Sequence, residues 1–276
     1  SAIWRYGYIR DGAQLATWLH VVQQPHVRTY CEVGVNGGHG TAVVLLANPS
    51  VQVRSFDLGE WPYSPAVYKM LEQSFPGRLQ ISTGSSYGSV NATSTGSIGR
   101  FAELVRAGKE PPCDVILVDG DHSVSGVLAD ITACASIARC GPHVLLFDDV
   151  FTAKRHNVYE ALNAARDQGL IRIDQLWRFP SISRDNPCLR VASKGCYGRR
   201  STRGLFCQVC IYPWGFGVGH FVQPEQCTAP RKARGGWAEA ALPTLGFNLS
   251  ALTERVRSHA MTSSRLETSG KEAAIP

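Results

Sequence analysis

Cys113-Asp-Val-Ile-Leu-Val-Asp-Gly-Asp-His-Ser123 is the stretch whose reading decides the fold. Val115 to Val118 are apolar without a break and run straight into Asp119, Gly120, Asp121 and His122. A short apolar run bounded by a turn reads as a strand buried on both faces, as in a parallel sheet. Ligands of open α/β sheets bind beyond the carboxyl ends of such strands, so two carboxylates and an imidazole at that edge mark a candidate site. His143-Val-Leu-Leu-Phe-Asp-Asp-Val150 repeats the design and ends in Asp148 and Asp149. Upstream, Thr29-Tyr-Cys-Glu-Val-Gly-Val35 is a third such strand, followed by the turn Asn36-Gly-Gly-His-Gly-Thr41.

Outward from these three strands, helical and extended patterns alternate. Helices are predicted over residues 11–24 (capped by Asp11, with Leu15, Leu19 and Val22 as its apolar stripe), 41–47, 64–75, 100–107, 123–139 and 157–168. Further strands are predicted over residues 51–56, 79–83 and 171–179, with a seventh over 205–212. Such alternation implies an α/β fold: a Rossmann-like, doubly wound, mostly parallel seven-stranded sheet with helices on both faces. Residues 1–227 read as one domain that includes a cysteine-rich segment, 181–227, and residues 228–276 as a tail, largely disordered.

Composition bounds the rest. Apolar content of 44% and charged content of 18% are those of a globular protein, and no apolar run reaches the ~18 residues that span a bilayer. The net charge is +6, and the tail from Ala229 carries seven Lys/Arg against four Asp/Glu, too sparse for a nucleic-acid partner. Of nine cysteines, Cys31, Cys113, Cys134 and Cys140 fall in predicted strands and helices, where a thiol packs as a small apolar group. Cys188, Cys196, Cys207, Cys210 and Cys227 crowd together and suggest disulfides. Zinc is the other reading, but only Cys207 and Cys210 have ligand spacing, inside a strand-like run. With the sequons at Asn91 and Asn248, the late cysteines lean towards the secretory pathway or secretion, cytoplasm being the alternative. The chain begins at Ser1, which leaves a removed signal peptide open. Oligomeric state, a homo-oligomer included, is not legible.

The glycine turn after the first strand is neither the dinucleotide fingerprint nor a P-loop, because the glycines have the wrong spacing and no Gly-Lys-Ser/Thr follows. Glu32 ahead of it would repel a pyrophosphate and attract a cationic ligand. Asp57, ending the second strand, suits a ribose diol. Asp119, Asp148 and Asp149 are hard oxygen ligands at two strand ends; brought together they call for a cation such as magnesium, manganese or calcium. Asp121 fits a helix cap, a supporting contact or a ligand equally. His122 is placed to take a proton from a substrate hydroxyl, and His39 reads as a lid.

These residues resemble the class I S-adenosylmethionine-dependent methyltransferases, and most closely the metal-dependent O-methyltransferases that include the macrocin-type sugar enzymes. The resemblance covers residues 29–151, more weakly to 179, and rests on Glu32 to Thr41, Val118 to Ser123 and Leu146 to Val150. It implies that the turn, with Asn36 and Gly37, holds the methionine part of the cofactor, with Glu32 and Gly34 near its cationic end. It implies Asp57 on the ribose, Ser85 and Ser86 beside the adenine, and Asp119 at the cofactor's edge. It implies Asp119, Asp148 and Asp149 as ligands of a divalent metal, magnesium by default, and His122 as general base. The acceptor would be a small molecule or glycan, a sugar or other vicinal hydroxyl. The chain departs from the family pattern at Gly84-Ser85-Ser86, where an acidic adenine contact is missing, and at Cys140-Gly141-Pro142. Other readings are a manganese-dependent nucleotide-sugar glycosyltransferase using Asp119-Gly-Asp121, and a methyltransferase-like binding protein without turnover.

Overall fold

A computed structural model describes residues 12–88, 95–150, 157–179, 188–191, 207–210, 214–222 and 227. The helix cap expected at Asp11, both sequons and the tail lie outside them. The main sheet has seven strands in the order β3-β2-β1-β4-β5-β9-β6. β1 (Thr29–Val33), β2 (Gln52–Asp57), β3 (Leu79–Thr83), β4 (Val115–Val118) and β5 (Val144–Phe147) run parallel. β9 (Trp214–Phe221) lies antiparallel between β5 and β6 (Ile171–Phe179). β1, β4 and β5 are buried at every position, so none of them alternates; β4 and β5 are unbroken apolar runs, while β1 also buries Thr29 and Glu32.

Helices cover both faces. α1 (Gly12–Val22), α2 (His39–Ala47) and α3 (Ser64–Ser74) lie on one side, where Trp18, Val21, Leu45 and Leu71 pack against Tyr30, Val53 and Leu117. α4 (Ser97–Arg106), α5 (Val124–Ala135) and α6 (Val158–Asp167) lie on the other, with Ile98, Phe101, Ile131 and Leu162 against Val33, Ile116 and Leu145. Among the described residues no helix is long and apolar enough to cross a membrane.

Four sequence expectations need correction. The seventh strand of the sheet is β9, not residues 205–212. Part of that run is β8 (Cys207–Cys210), which pairs with β7 (Cys188–Val191) in a separate two-stranded sheet. β9 was hidden because Gly215, Gly217 and Gly219 alternate through it, and glycine is a weak strand former. Its glycines are needed: a Cβ on Gly219 would fall 2.3 Å from the Arg172 carbonyl oxygen, and one on Gly217 2.8 Å from Leu176.

Of the stripe expected on α1, Val22 is buried in the core, but Leu15 and Leu19 are only partly buried. Gln14, Thr17, Trp18 and Val21 are buried at helical spacing, so two polar residues head the inward face. The long apolar stripe from Ser123 stops being helical at Ala135, because Ala138 peels away to form a bridge with Cys113 at the foot of β4. The fourth correction concerns the cysteines. Cys31 is bonded to Cys113 and Cys140 to Cys227, leaving Cys134 as the buried free thiol among the described residues. The Cys31 and Cys113 side chains lie in the core, but their Cα atoms are only 5.9 Å apart across adjacent strands.

Candidate active site at the carboxyl edge of the sheet

Register brings the site together. Val33 pairs with Val118 and Val118 with Phe147, so β1, β4 and β5 end level with one another. The residues that follow, Gly34, Asp119 and Asp148, leave the sheet at a common edge. That edge is also where the strand order reverses between β1 and β4, the crevice in which open α/β sheets hold ligands.

Asp119, His122 and Asp149 converge there: one ligand atom from each lies within 4.8 Å of the others. His122 Nε2 is 3.4 Å from Asp119 Oδ1 and 3.8 Å from Asp149 Oδ2. Asp119 and His122 remain 29% exposed at their side chains and Asp149 12%, so the cluster is within reach of a ligand from solvent. Burial by itself would lower the His122 pKa; the hydrogen bond to Asp119 and the charges of Asp119, Asp149 and Asp148 outweigh it and raise it. The His122 carbonyl accepts from the amide of Asn157 at 2.9 Å, which ties this loop to the start of α6.

Asp149 has a φ of 53°, an uncommon conformation for a residue other than glycine and one found at functional turns. The turn lets its amide donate back to Asp148 Oδ1 at 2.7 Å. The other oxygen, Asp148 Oδ2, accepts from Gln14 Nε2 of α1 at 2.9 Å. Asp148 therefore sits beside the cluster with both oxygens already engaged. Burial, then the charges of Asp119 and Asp149, push its pKa well above the usual carboxylate range. A carboxyl crowded in this way is stabilised by a cation at the site.

The glycine turn is held from within. Gly34 has a φ of 92°, and a Cβ there would fall 2.0 Å from the Asp119 carbonyl oxygen. Its role in the fold is thus close approach of β1's end to β4's end. Glu32 is 1% exposed, and its Oε1 accepts from the hydroxyls of Thr41 and Ser55. Burial lifts its pKa to about 7; those two hydroxyls lower it and Asp119 and Asp57 add to the rise. Asn36 is in the left-handed region at φ 48°, and its side-chain oxygen accepts from the Tyr63 hydroxyl. α2 then begins at His39, behind Gly37 and Gly38, with no side-chain cap on its first amides.

Asp57 binds this turn rather than standing free. Its Oδ2 accepts from the amides of Val35 (2.7 Å) and Asn36 (3.1 Å), and its Oδ1 from Gly59 (2.7 Å). A carboxylate offers about four acceptor positions, so a ribose would share Asp57 with the chain's own amides. Ser85 is paired with Gly88, while the Ser86 hydroxyl donates to Asp130. Asp121 is not the helix cap: it accepts from the amide and hydroxyl of Ser123, which is the N-cap of α5. The aromatic residues Phe216 and Phe221 are core, and Trp177 stacks on Phe216.

Gln14 and Asp130 escaped the sequence reading. Asp130 is fully buried in α5, and burial raises its pKa to about 6. For Asp130 the available signal was a carboxylate whose helical neighbours Val127, Ala133 and Cys134 are apolar; Gln14, with Thr17 and Asp11 at the same spacing, gave no such signal.

No family model matches the chain, and no curated protein sequence matches it. Solved structures with a similar fold exist. An O-methyltransferase from Bacillus cereus in complex with SAH is 13% identical, with a TM-score of 0.48, over 78% of this chain and 84% of that one. The O-methyltransferase TomG from Streptomyces achromogenes, in complex with SAM, is 12% identical at TM-score 0.45, over 77% and 81%. A precorrin-6y C5,15-methyltransferase from Geobacter metallireducens is 10% identical at TM-score 0.45, over 77% and 90%. At these values the fold assignment rests on the strand order and register of the chain itself.

Proposed function

We propose that the chain is an S-adenosylmethionine-dependent O-methyltransferase whose acceptor is a sugar or another vicinal hydroxyl. The observation that carries this reading is the convergence of Asp119, His122 and Asp149 at the switch point, level with a glycine turn and an uncapped helix start. A divalent cation fits the residues present, since crowded carboxylates with a raised pKa at Asp148 are what a cation would relieve. Asp119 and Asp149 would hold it, and Asp148 would add a third oxygen through a lone pair that its two hydrogen bonds leave open. When bound, S-adenosylmethionine supplies the electrophilic methyl group and the cation lowers the pKa of an acceptor hydroxyl.

The chain's own part is placement and proton transfer. The first amides of α2 face the turn and favour an anionic group there. Asp57 fixes Val35 and Asn36, and so the shape of the pocket in which a ribose would sit. His122 Nε2, kept basic by Asp119, takes the acceptor's proton. Asn157 holds the His122 backbone so that the imidazole stays at the edge. Methyl transfer is an in-line displacement, in which such positioning supplies much of the rate.

The glycosyltransferase reading through Asp119-Gly-Asp121 leaves the glycine turn, and Asp57 which holds it, without a role. The two disulfides support an oxidising compartment as the site of action. The direct test is thermal unfolding with S-adenosylmethionine, with and without magnesium. A ligand at ~100 times its dissociation constant adds ~2.7 kcal/mol and moves the midpoint by several degrees. No shift at saturating cofactor would sink the reading, and a shift with a nucleotide sugar and manganese instead would replace it.

A further inference from the structure

Resting on that reading, we infer that Gln14 is a positioning residue for Asp148, through which α1 takes part in building the divalent-cation site. Gln14 is 134 residues from Asp148 in sequence, and its Nε2 donates to Asp148 Oδ2 at 2.9 Å. It is 2% exposed and shares its helix face with Trp18 and Val21. A carboxamide on such a face is costly unless hydrogen-bonded, so the contact with Asp148 offsets its burial.

The contact is complementary to the one from the other side. Asp148 Oδ1 takes the amide of Asp149 at 2.7 Å, so the two oxygens are fixed by donors from two separate elements. The terminal torsion of an aspartate is broad, and a carboxylate held at one oxygen swings. Held at both, its plane is set relative to Asp119 and Asp149, and its remaining lone pairs are presented in a fixed direction. A neutral donor does this without adding charge to a site meant for a cation. A lysine in its place would compete with the cation, and an acid would add to the repulsion. Supporting contacts of this kind around metal ligands are worth ~10–100-fold in affinity.

The experiment is Mn2+ binding to the full chain, read by electron paramagnetic resonance of free Mn2+, with S-adenosylmethionine affinity measured on the same samples. Gln14→Met keeps the bulk and removes the donor; Gln14→Leu is the second apolar variant should the first misfold. The expected result is a Mn2+ dissociation constant raised ~10–100-fold with cofactor affinity unchanged. In an Asp148→Asn background the same substitution should cost nothing further, because the partner it positions is gone. Wild-type Mn2+ affinity in both apolar variants, or an equal loss in both backgrounds, overturns the inference and leaves the proposed function standing. A wild-type chain that binds S-adenosylmethionine but no Mn2+ overturns the inference together with the metal half of that reading.

Discussion

At the scale of single residues, the site depends on which charges the fold desolvates. On the proposed scheme His122 takes the acceptor's proton and Asp149 holds the cation, so His122→Ala or Asp149→Ala should lower methyl transfer at least ~100-fold, measured as single-turnover rate at saturating cofactor. Full activity in both variants would remove the base and the cation from the scheme. Glu32 is a different case, because its effect falls on stability. Its carboxyl is fully buried, and burial raises its pKa from 4.5 to about 7. The folded chain therefore binds this proton more tightly than the unfolded chain does. The stabilising contribution is complete below pH 4.5 and is lost as pH rises to about 7. Its size is about 3 kcal/mol, from about 1.4 kcal/mol per pKa unit. Urea unfolding of the metal-free protein should thus fall more steeply across that window in wild type than in Glu32→Gln. Parallel curves would mean that Thr41 and Ser55 already keep the carboxylate ionised.

Among the elements, β9 is the one on which closure of the sheet depends. It joins β5 to β6 by antiparallel pairing on both sides. Gly219 has no room for a side chain beside Arg172, so Gly219→Val should cost more than ~2 kcal/mol in urea unfolding. An unchanged midpoint would show that β9 does not pair with β6 at this point. The consequence reaches the site, because the amide of Val150, just after Asp149, donates to the Gly215 carbonyl of β9 at 2.9 Å. α1 has the matching role on the other side. Its inward face begins with Gln14 and Thr17 instead of apolar residues, which places a donor beside Asp148 at the head of the helix.

For the whole molecule, the disulfides join distant parts of the chain. Cys140 and Cys227 are 87 residues apart in sequence, and their bond fastens the foot of β5 to the chain beyond β9. Closing a loop of that size removes enough unfolded-state entropy to be worth ~2–5 kcal/mol. Cys140→Ser should lower the unfolding free energy by that amount under non-reducing conditions and by little once wild type is also reduced. Equal stability of the oxidised proteins would mean that the bond does not form, and the argument for an oxidising compartment would weaken with it.

The sequence by itself determined the α/β alternation and which residues stand at the ends of the buried strands, because burial on both faces favours short apolar runs that a turn then breaks. β3, β4 and β6 were legible to the residue. Register, however, is a property of pairs of strands: only the sheet put Asp119 and Asp149 beside His122. Pairing likewise decided the cysteines, since Cys31 and Cys113 are ordinary core positions until two strands place them 5.9 Å apart. Helix phase decided Gln14, whose partner is 134 residues away. Local pattern fixes what each segment is; long-range contact fixes which side chains meet, and the site is made of the second kind of information.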